Sequence, residues 1–440
     1  MIYDCKNRKR TMRIAYIAAG AGGMYCGSCM HDNTLAAALQ RKGHEVALIP
    51  TYTPIRTDEN NVSIDRIFYG GLNVYLQEKF SFFRHTPWIF DKLLNNPTLL
   101  NWLINQSSTT DAKDLGSLAV SVLQGEQGHQ RKELQKLIKW LKEEYKPELV
   151  QLTNSMFLGF AKEIKQELNV PVLCGVQGED LFLEELIEPY KTQARQLLQE
   201  KADDVDGFIA TGSYYANFMA EYLNVNPEKM HAIDLGINLD GYGNGEFKIK
   251  SDAFVIGYLA RICPEKGLHL LVEAFHKLRG KLNSDKIQLK IAGYLGKKDQ
   301  PYFRNLEKQI ADWGLKGAVE YIGEVDRLSK IVFLNGLDVL SVPTVYVESK
   351  GLSILEAMAN GVPVVQPRHG SFVEIIEKTG GGILVEPESP DDLANGLEQL
   401  FNDSARREEL GKKGKEFVHA NLNDERMTEA TLEVYKKYLG

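Results

Sequence analysis

The chain of 440 residues has little cysteine, no long hydrophobic run and no excess of positive charge. Five cysteines do not make a disulfide framework in a chain of this length, so the composition favours a reducing compartment. No apolar run approaches the ~20 residues that a membrane-spanning helix requires. A net charge of −7 argues against a general nucleic-acid binder, because such a protein needs a basic surface.

The N-terminal residues also lack the features of a secretory signal. The apolar run from Ile14 to Ala19 is too short for the hydrophobic part of a signal peptide, and it leads into glycines without a cleavage pattern. We therefore expect residues 1–11 to be a disordered basic extension and the protein to be cytoplasmic.

What the sequence does contain is a nearly continuous alternation of strand-like and helix-like segments. A chain this long exceeds the size at which one hydrophobic core keeps growing, so two domains are expected. The alternation predicts α/β domains in which helices cover both faces of a parallel sheet. The expected parts are an N-terminal domain at 12–237, a Gly- and Asn-rich linker at 238–250, a second domain at 251–420, and a helix at 421–440 that packs back towards the N-terminal domain.

Short apolar runs bounded by turn residues predict the individual strands. These runs lie at 12–19, 45–50, 149–152, 170–175, 207–210, 253–260, 287–292, 319–322, 339–342, 362–365 and 382–385. The chain is expected to end in two helices, at 391–400 and at about 406–439. Ser389 is placed to begin the first of them, and a capping box is predicted from Ser371 to Glu374.

A glycine-rich loop follows the first predicted strand. Gly22 and Gly23 would let backbone amides approach a phosphate closely, and Ser28 is placed to cap the next helix. The loop has no Gly-x-Gly-x-x-Gly in register, so a hydride cofactor is not predicted. Cys26 and Cys29 suggest a redox or zinc site, but there is no second Cys-x-x-Cys, and we favour packed thiols over a metal site.

Two glutamates flank another predicted strand–loop–helix junction. A strand ends near Pro343, the loop carries Glu348, and Gly351 allows the turn into a helix that carries Glu356. The amides from about Gly351 to Ile354 would be unpaired donors at the positive end of that helix, which suits a phosphate. The carboxylates can accept hydrogen bonds from sugar or ribose hydroxyls. The ordinary alternative is an amphipathic helix with solvated glutamates.

This segment resembles the glutamate–seven residues–glutamate motif of the family-4 retaining glycosyltransferases, also called glycosyl transferases group 1. The resemblance implies the GT-B fold, in which two Rossmann-like doubly wound domains face a central cleft. It implies that Glu348 lies near the donor sugar and that Glu356 binds the ribose of the nucleotide, with Gly351, Leu352 and Ser353 in the same donor site. Ser349 and Lys350 stand where the family usually has Gly-Phe.

Two cations follow the first strand of the second domain. Arg261 leaves the end of that strand, and Lys266 lies five residues further on, where a helix begins. Such a pair can hold a diphosphate and stabilise it as it leaves, without a metal. The segment resembles the phosphate clamp of the same family. Taken singly, each residue is more often a surface charge.

The resemblance assigns one further position. Gln177 stands where many relatives have a histidine that contacts the donor sugar; glutamine cannot act as acid or base but can bind a hydroxyl. The nucleotide base is expected to be read by backbone and apolar contacts around Gly323 and Val325. Glu179 and Asp180 either face the acceptor or cap a helix, and both interpretations stay open.

A dense apolar and aromatic region at about 77–145 interrupts the alternation. The spacing of its apolar residues predicts a helical insertion that packs on the N-terminal domain. The resemblance implies that the N-terminal domain binds the acceptor. The alternative is that residues 77–105 bind a lipid-linked acceptor or contact the inner face of a membrane peripherally.

The sequence is thus interpreted as a retaining hexosyltransferase that needs neither cofactor nor metal. Its partners would be a nucleotide-diphosphate sugar and a carbohydrate or lipid-linked acceptor, with no nucleic acid. One alternative is a nucleotide-sugar 2-epimerase, which shares the architecture. The other is a non-catalytic protein that binds a sugar nucleotide.

Overall fold

The computed structural model describes residues 10–20, 25–69, 112–243 and 252–440. The chain divides into two compact domains, each built from more than one segment. The first domain comprises Met1–Ala210, Ala216–Ile233 and Thr428–Gly440, and the second comprises Thr211–Tyr215 and Asp234–Met427. Gly22, Gly23 and the predicted surface at 77–105 lie outside the described residues.

The described strands of the first domain form one parallel sheet. They are β1 Arg13–Ala18, β2 Glu45–Pro50, β3 Leu149–Leu152, β4 Val172–Val176, β5 Gly207–Ala210 and β6 Met230–Ala232. Their order in the sheet is β2-β1-β3-β4-β5-β6. The central strands are buried along nearly their whole length, as expected where helices cover both faces.

Helices connect these strands. They are α1 Gly27–Arg41, α2 Ala112–Leu123, α3 Arg131–Trp140, α4 Ala161–Leu168, α5 Asp180–Glu184, α6 Tyr190–Lys201 and α7 Ser213–Leu223. The described part of the predicted insertion, from residue 112 to 145, is largely helical. The prediction that Ser28 caps α1 is wrong, because Cys26 is the residue before the first turn and Ser28 lies within the helix.

The second domain contains a second parallel sheet of six strands. They are β7 Phe254–Leu259, β8 Ile287–Ala292, β9 Val319–Gly323, β10 Val339–Leu340, β11 Val364–Pro367 and β12 Gly382–Val385. Their order is β12-β11-β10-β7-β8-β9. Counted from β7, this is the 3-2-1-4-5-6 order of the Rossmann fold. The described strands of the first sheet begin with the other common doubly wound order, 2-1-3-4-5, so both domains are doubly wound and Rossmann-like, as predicted.

The helices of the second domain lie between and after its strands. They are α8 Leu268–Leu282, α9 Gln300–Asp312, α10 Arg327–Asn335, α11 Leu352–Ala359, α12 Gly370–Thr379, α13 Pro390–Asn402 and α14 Ser404–Asn421. The last helix is α15 Asp424–Leu439, most of which belongs to the first domain. The side chain of Ser389 caps α13, as predicted. In the described ranges no helix has the length and hydrophobicity needed to cross a bilayer.

The prediction of one long C-terminal helix is wrong, because the helix is interrupted between α14 and α15. The amide of Ile237 donates to the carbonyl of Leu422 at 3.1 Å, and the amide of Asp424 donates to the carbonyl of Ile237 at 3.0 Å. These two hydrogen bonds replace the helical pattern at residues 422–424. From Thr428 onward, α15 belongs to the first domain.

The strand order of the second sheet changes direction between β7 and β10. The connection after β7 leads to β8 on one side, whereas the connection after β10 leads to β11 on the other. In open parallel sheets, ligands bind outside the carboxyl ends of the strands at such a switch point. A binding site is therefore expected at the loops that follow β7 and β10.

Candidate functional site

The loops after β7 and β10 pack directly against each other at Gly267. Gly267 has φ +70°, and a Cβ atom there would lie 1.7 Å from the carbonyl oxygen of Pro343. The amide of Val345 also donates to the carbonyl of Glu265 at 2.9 Å. A residue without a side chain is needed for this approach, and the approach brings Lys266 beside the loop that carries Glu348.

Lys266 and Glu348 form an ion pair. The Lys266 Nζ atom lies 2.8 Å from Glu348 Oε2, and the hydroxyl of Tyr346 donates to the same oxygen at 3.1 Å. The ammonium group also lies 4.8 Å from the centre of the Tyr346 ring. The amide of Lys350 donates to the other oxygen, Oε1, at 3.2 Å. The predicted cation and the predicted carboxylate are thus brought together.

This environment keeps Glu348 ionised. Burial raises the pKa of Glu348, but the charge of Lys266 and the hydrogen bonds from Lys266 and Lys350 outweigh burial and lower that pKa from 4.5 to about 2. The same pairing raises the pKa of Lys266, against the opposing effect of burial. The carboxylate is therefore a weak base, suited to orienting a ligand or stabilising positive charge.

Glu348→Gln should change how stability depends on pH. Because its pKa in the folded state is below the unfolded value, Glu348 stabilises the protein above pH 4.5, and this contribution falls as the pH approaches 2. Between pH 6 and pH 3 the wild type should lose about 2 kcal/mol more than the variant in urea unfolding. Glu416→Gln, which removes an exposed carboxylate 3.8 Å from Lys412, is the control. Parallel curves for wild type and Glu348→Gln would contradict the assignment.

The start of α12 packs on the backbone of Glu348. The amide of Ser371 donates to the carbonyl of Glu348 at 2.8 Å. The predicted capping box is wrong, because His369 precedes the first turn of α12 and the carboxylate of Glu374 is used elsewhere. It accepts from the amides of Ser213 and Tyr214 at 3.0 and 2.9 Å, at the start of α7.

The N-terminus of α11 faces the same switch point. Gly351, at φ +69°, precedes the helix, and Leu352 and Ser353 form its first turn, where amides have no intrahelical partner. The expectation that the amide of Ile354 is also unpaired is wrong, because it donates to the carbonyl of Gly351 at 3.2 Å. The donor set at this helix end is therefore one residue shorter than predicted.

Glu356 lies one turn into α11 and is buried. It forms an ion pair with Lys330 of α10, and the hydroxyl of Tyr242 donates to its Oε1 at 3.2 Å. Sequence reasoning missed both partners. Lys330 could have been noticed as a cation four residues before the buried Leu334, on the same side of the helix. Tyr242 gave no such signal, because it lies in a segment that was interpreted as a linker.

The remaining predicted residues of this domain lie at the same end of the sheet. Arg261 is exposed, two residues beyond β7, and the hydroxyl of Tyr258 donates to its carbonyl at 3.2 Å. Val325 lies between β9 and α10. In the described part of the chain no three His, Cys, Asp or Glu side chains converge as metal ligands.

Gln177 lies in the first domain, just beyond β4, within a buried polar cluster. Its Nε2 donates to Asp32 Oδ1 at 2.8 Å and to the carbonyl of Thr153 at 2.9 Å. Tyr16 and Thr153 also donate to Asp32, at 2.8 and 2.5 Å. Oε1 of Gln177 is buried and has no hydrogen-bond partner among the described residues, so the side chain is fixed with one acceptor unused.

Asp32 is the residue of this cluster that sequence reasoning missed. It lies on α1 three residues before the buried Leu35, so a carboxylate on the apolar face was the available signal. Glu179 is buried and precedes the first turn of α5, but its side chain does not cap that helix: its carboxylate accepts from the amides of Ser155 and Gln177 at 2.9 and 2.7 Å. Burial raises the pKa of Glu179, and these amides oppose that effect.

The second domain resembles a known protein family in sequence. Residues 244–417, which hold Arg261, Lys266, Glu348 and Glu356, match the family of glycosyl transferases group 1. The match covers the greater part of the second domain, and the resemblance recognised from the sequence is confirmed at that level.

Curated relatives match only part of the chain. An uncharacterised glycosyltransferase of Methanocaldococcus jannaschii is 32% identical over 190 residues, which are 43% of this chain and 46% of the relative. A D-inositol 3-phosphate glycosyltransferase of Corynebacterium aurimucosum is 24% identical over 50% of this chain and 55% of the relative. The chain thus spans about half the length of the curated relatives it matches.

Solved structures match almost the whole chain in fold. Sucrose-phosphate synthase from Thermosynechococcus elongatus superposes with a TM-score of 0.70 at 19% identity, covering 96% of this chain and 98% of that one. HepE from Anabaena, solved in complex with UDP-glucose, superposes with a TM-score of 0.68 at 16% identity, covering 97% and 100%. These likenesses place the chain in the GT-B fold.

Proposed function

We propose that the protein is a retaining glycosyltransferase that transfers a hexosyl group from a nucleotide-diphosphate sugar. The observation that carries the proposal is the position of Lys266 and Glu348, 2.8 Å apart at the switch point of the second sheet. This transfer needs a cation that binds the diphosphate and, close to it, a carboxylate that binds the sugar.

The diphosphate would be bound by the chain's own donors, without a metal ion. An ammonium group has three donors, and only one is used by Glu348, so Lys266 can also reach a phosphate oxygen. Arg261 is exposed two residues beyond β7 and offers a planar fork of donors. Leu352 and Ser353 add amides at the positive end of α11.

The low basicity of Glu348 supports the retaining part of the proposal, because it argues against this carboxylate as the base that an inverting transfer would need. With a pKa of about 2, this carboxylate is poorly suited to take the proton of an acceptor hydroxyl, whereas a phosphate has a second pKa near 6. In the proposed step the bond from the sugar C1 to the diphosphate breaks and the bond from C1 to the acceptor oxygen forms on the same face. The acceptor proton passes to the leaving diphosphate.

Within the first domain, we propose Gln177 as a residue that binds a sugar hydroxyl. The unused Oε1 of Gln177, held by Asp32 and Thr153, is a fixed acceptor for a hydroxyl hydrogen. A carbohydrate or a lipid-linked sugar carries suitable hydroxyls, and we propose this class of acceptor.

The test is a panel of UDP-, GDP- and ADP-sugars, screened by thermal shift and then by turnover in the presence of EDTA. We expect one nucleotide class to raise the melting temperature and to release its sugar, slowly to water and faster with an acceptor sugar. The released sugar should carry the anomeric configuration of the donor in a proton NMR spectrum. Inverted product, or activity abolished by EDTA, would overturn the retaining or the metal-independent part of the proposal.

The same panel separates the two alternatives. A 2-epimerase would isomerise the nucleotide-sugar in the absence of any acceptor. A non-catalytic binding protein would show the thermal shift without release or transfer of the sugar.

A further inference from the structure

Helix α10 is attached to the segment at 238–242 through Arg327. Its Nη2 atom donates to the carbonyls of Asn238 and Asp240, at 2.9 Å each. The guanidinium also lies 5.1 Å from the centre of the Tyr242 ring. These contacts fix the position of Tyr242, which is only 2% exposed although it lies in a glycine-rich segment.

Lys330 lies three residues after Arg327 and therefore on the same side of α10. Its ammonium group pairs with Oε1 of Glu356, and the hydroxyl of Tyr242 donates to the same oxygen at 3.2 Å. Lys330 and Glu356 are each only 5% exposed. One carboxylate oxygen thus receives two donors that come from two different parts of the domain.

Stability alone does not explain this arrangement. Taking two charges out of water costs about as much as their attraction returns, and a well-packed apolar pair of similar volume is often at least as stable. A buried pair does fix orientation, because both groups must keep their partners. Here the two donors on Oε1 set the plane of the carboxylate and leave Oε2 as the oxygen with capacity for a further donor.

We propose that Lys330 and Tyr242 are positioning residues that aim Oε2 of Glu356 at a ribose hydroxyl of the nucleotide. The inference rests on the proposed function, because it takes the ligand to be a nucleoside diphosphate. It assigns Lys330 a role distinct from that of Lys266. Lys266 would contact the diphosphate itself, whereas Lys330 would act only through Glu356 and would determine selectivity for ribose over deoxyribose.

The experiment measures the affinity of UDP, GDP and ADP, each with its 2′-deoxy and 3′-deoxy form, by calorimetry. For the wild type, loss of the hydroxyl bound by Glu356 should weaken binding about tenfold or more, because that hydrogen bond involves a charged group. We call the loss of affinity on removal of that hydroxyl the deoxy penalty. In Lys330→Met, the ribonucleotide should bind more weakly than it binds the wild type, whereas the deoxy form should bind as well as it binds the wild type. The deoxy penalty should therefore fall below about threefold. Lys308→Met, at an exposed position of α9, should keep the full penalty.

Each outcome of this experiment either supports the inference or overturns it. A Lys330→Met variant that keeps the full deoxy penalty overturns the inference, and so does a wild type that binds a diphosphate with no penalty at either hydroxyl; both results leave the proposed function standing. A wild type that binds none of the three diphosphates overturns the proposed function as well.

Loss of Lys330 could prevent folding, because it leaves Glu356 buried without its cation. Tyr242→Phe removes only the hydroxyl and keeps the ion pair, so it tests the same inference in a folded protein. Its deoxy penalty should be at least threefold smaller than that of the wild type, while its melting temperature without nucleotide stays close to that of the wild type. An unchanged penalty would overturn the assignment of Tyr242 and, where Lys330→Met does not fold, the inference as a whole.

Discussion

Lys266→Met should lower kcat for sugar transfer about 10²–10³-fold, the loss found when one preorganised donor to a developing negative charge is removed. Methionine keeps much of the length of the side chain but removes the charge, so a diphosphate that gains charge as it leaves would be stabilised less. The effect should fall mainly on kcat, because the charge on the leaving group is greatest in the transition state. Steady-state kinetics with the donor identified in the panel measures it.

Loss of stability has to be separated from this effect, because Lys266→Met leaves Glu348 buried without its cation. The double variant Lys266→Met/Glu348→Gln removes both charges and should unfold close to the wild type while remaining inactive. Lys308→Met, on the exposed face of α9, should retain activity. Arg261→Ala should also reduce transfer, with little loss of stability because its side chain is exposed. Normal rates in both Lys266→Met and Arg261→Ala would refute the role of this pair at the diphosphate.

Gly267→Ala should destabilise the second domain by several kcal/mol more than Gly314→Ala. The two glycines have nearly the same backbone conformation, φ +70° and +69°, so each alanine has the cost of the left-handed region, about 1–2 kcal/mol. A Cβ atom at Gly314 meets no atom within 4 Å, whereas one at Gly267 would lie 1.7 Å from the carbonyl oxygen of Pro343. Only Gly267→Ala forces two backbone segments apart.

Urea unfolding of the two variants measures this difference directly, because the shared conformational cost cancels between them. The displaced segments carry Lys266 and Glu348, so Gly267→Ala should also weaken nucleotide binding, whereas Gly314→Ala should not. Equal losses of stability would mean that the loops after β7 and β10 can separate at little cost. In that case the fixed distance between the cation and the carboxylate could not be attributed to their packing.

The regular parts of the fold could be predicted from the sequence because buried parallel strands are short apolar runs bounded by turn residues. The predicted runs at 149–152, 207–210, 287–292 and 382–385 coincide with β3, β5, β8 and β12. β6 was missed, since Met230–Ala232 is short and partly exposed and so has no apolar pattern. β10 ends at Leu340, two residues before its prediction, although Ser341 and Val342 are also buried.

The candidate site was predictable where charge lies in a loop and unpredictable where charge is buried. Lys266 and Glu348 follow strands in the sequence, so the topology alone brings them to one end of the sheet. Asp32 and Lys330 lie on the apolar sides of helices, and this position marks each charge as unusual without identifying what it contacts. Their partners are distant in sequence, and only the folded chain identifies them.

Because residues 428–440 belong to the first domain, the second domain of the protein cannot be exchanged for another at a single point in the chain. Tyr435 is fully buried in that domain, and the hydroxyl of Tyr438 lies 2.8 Å from His231 Nε2, against Gly207 of β5. A chimaera that exchanges the second domain for that of another glycosyltransferase must therefore cross over twice, near residues 233 and 428. A single crossover would give the first domain a foreign last helix and would leave its core to be filled by side chains that did not evolve with it.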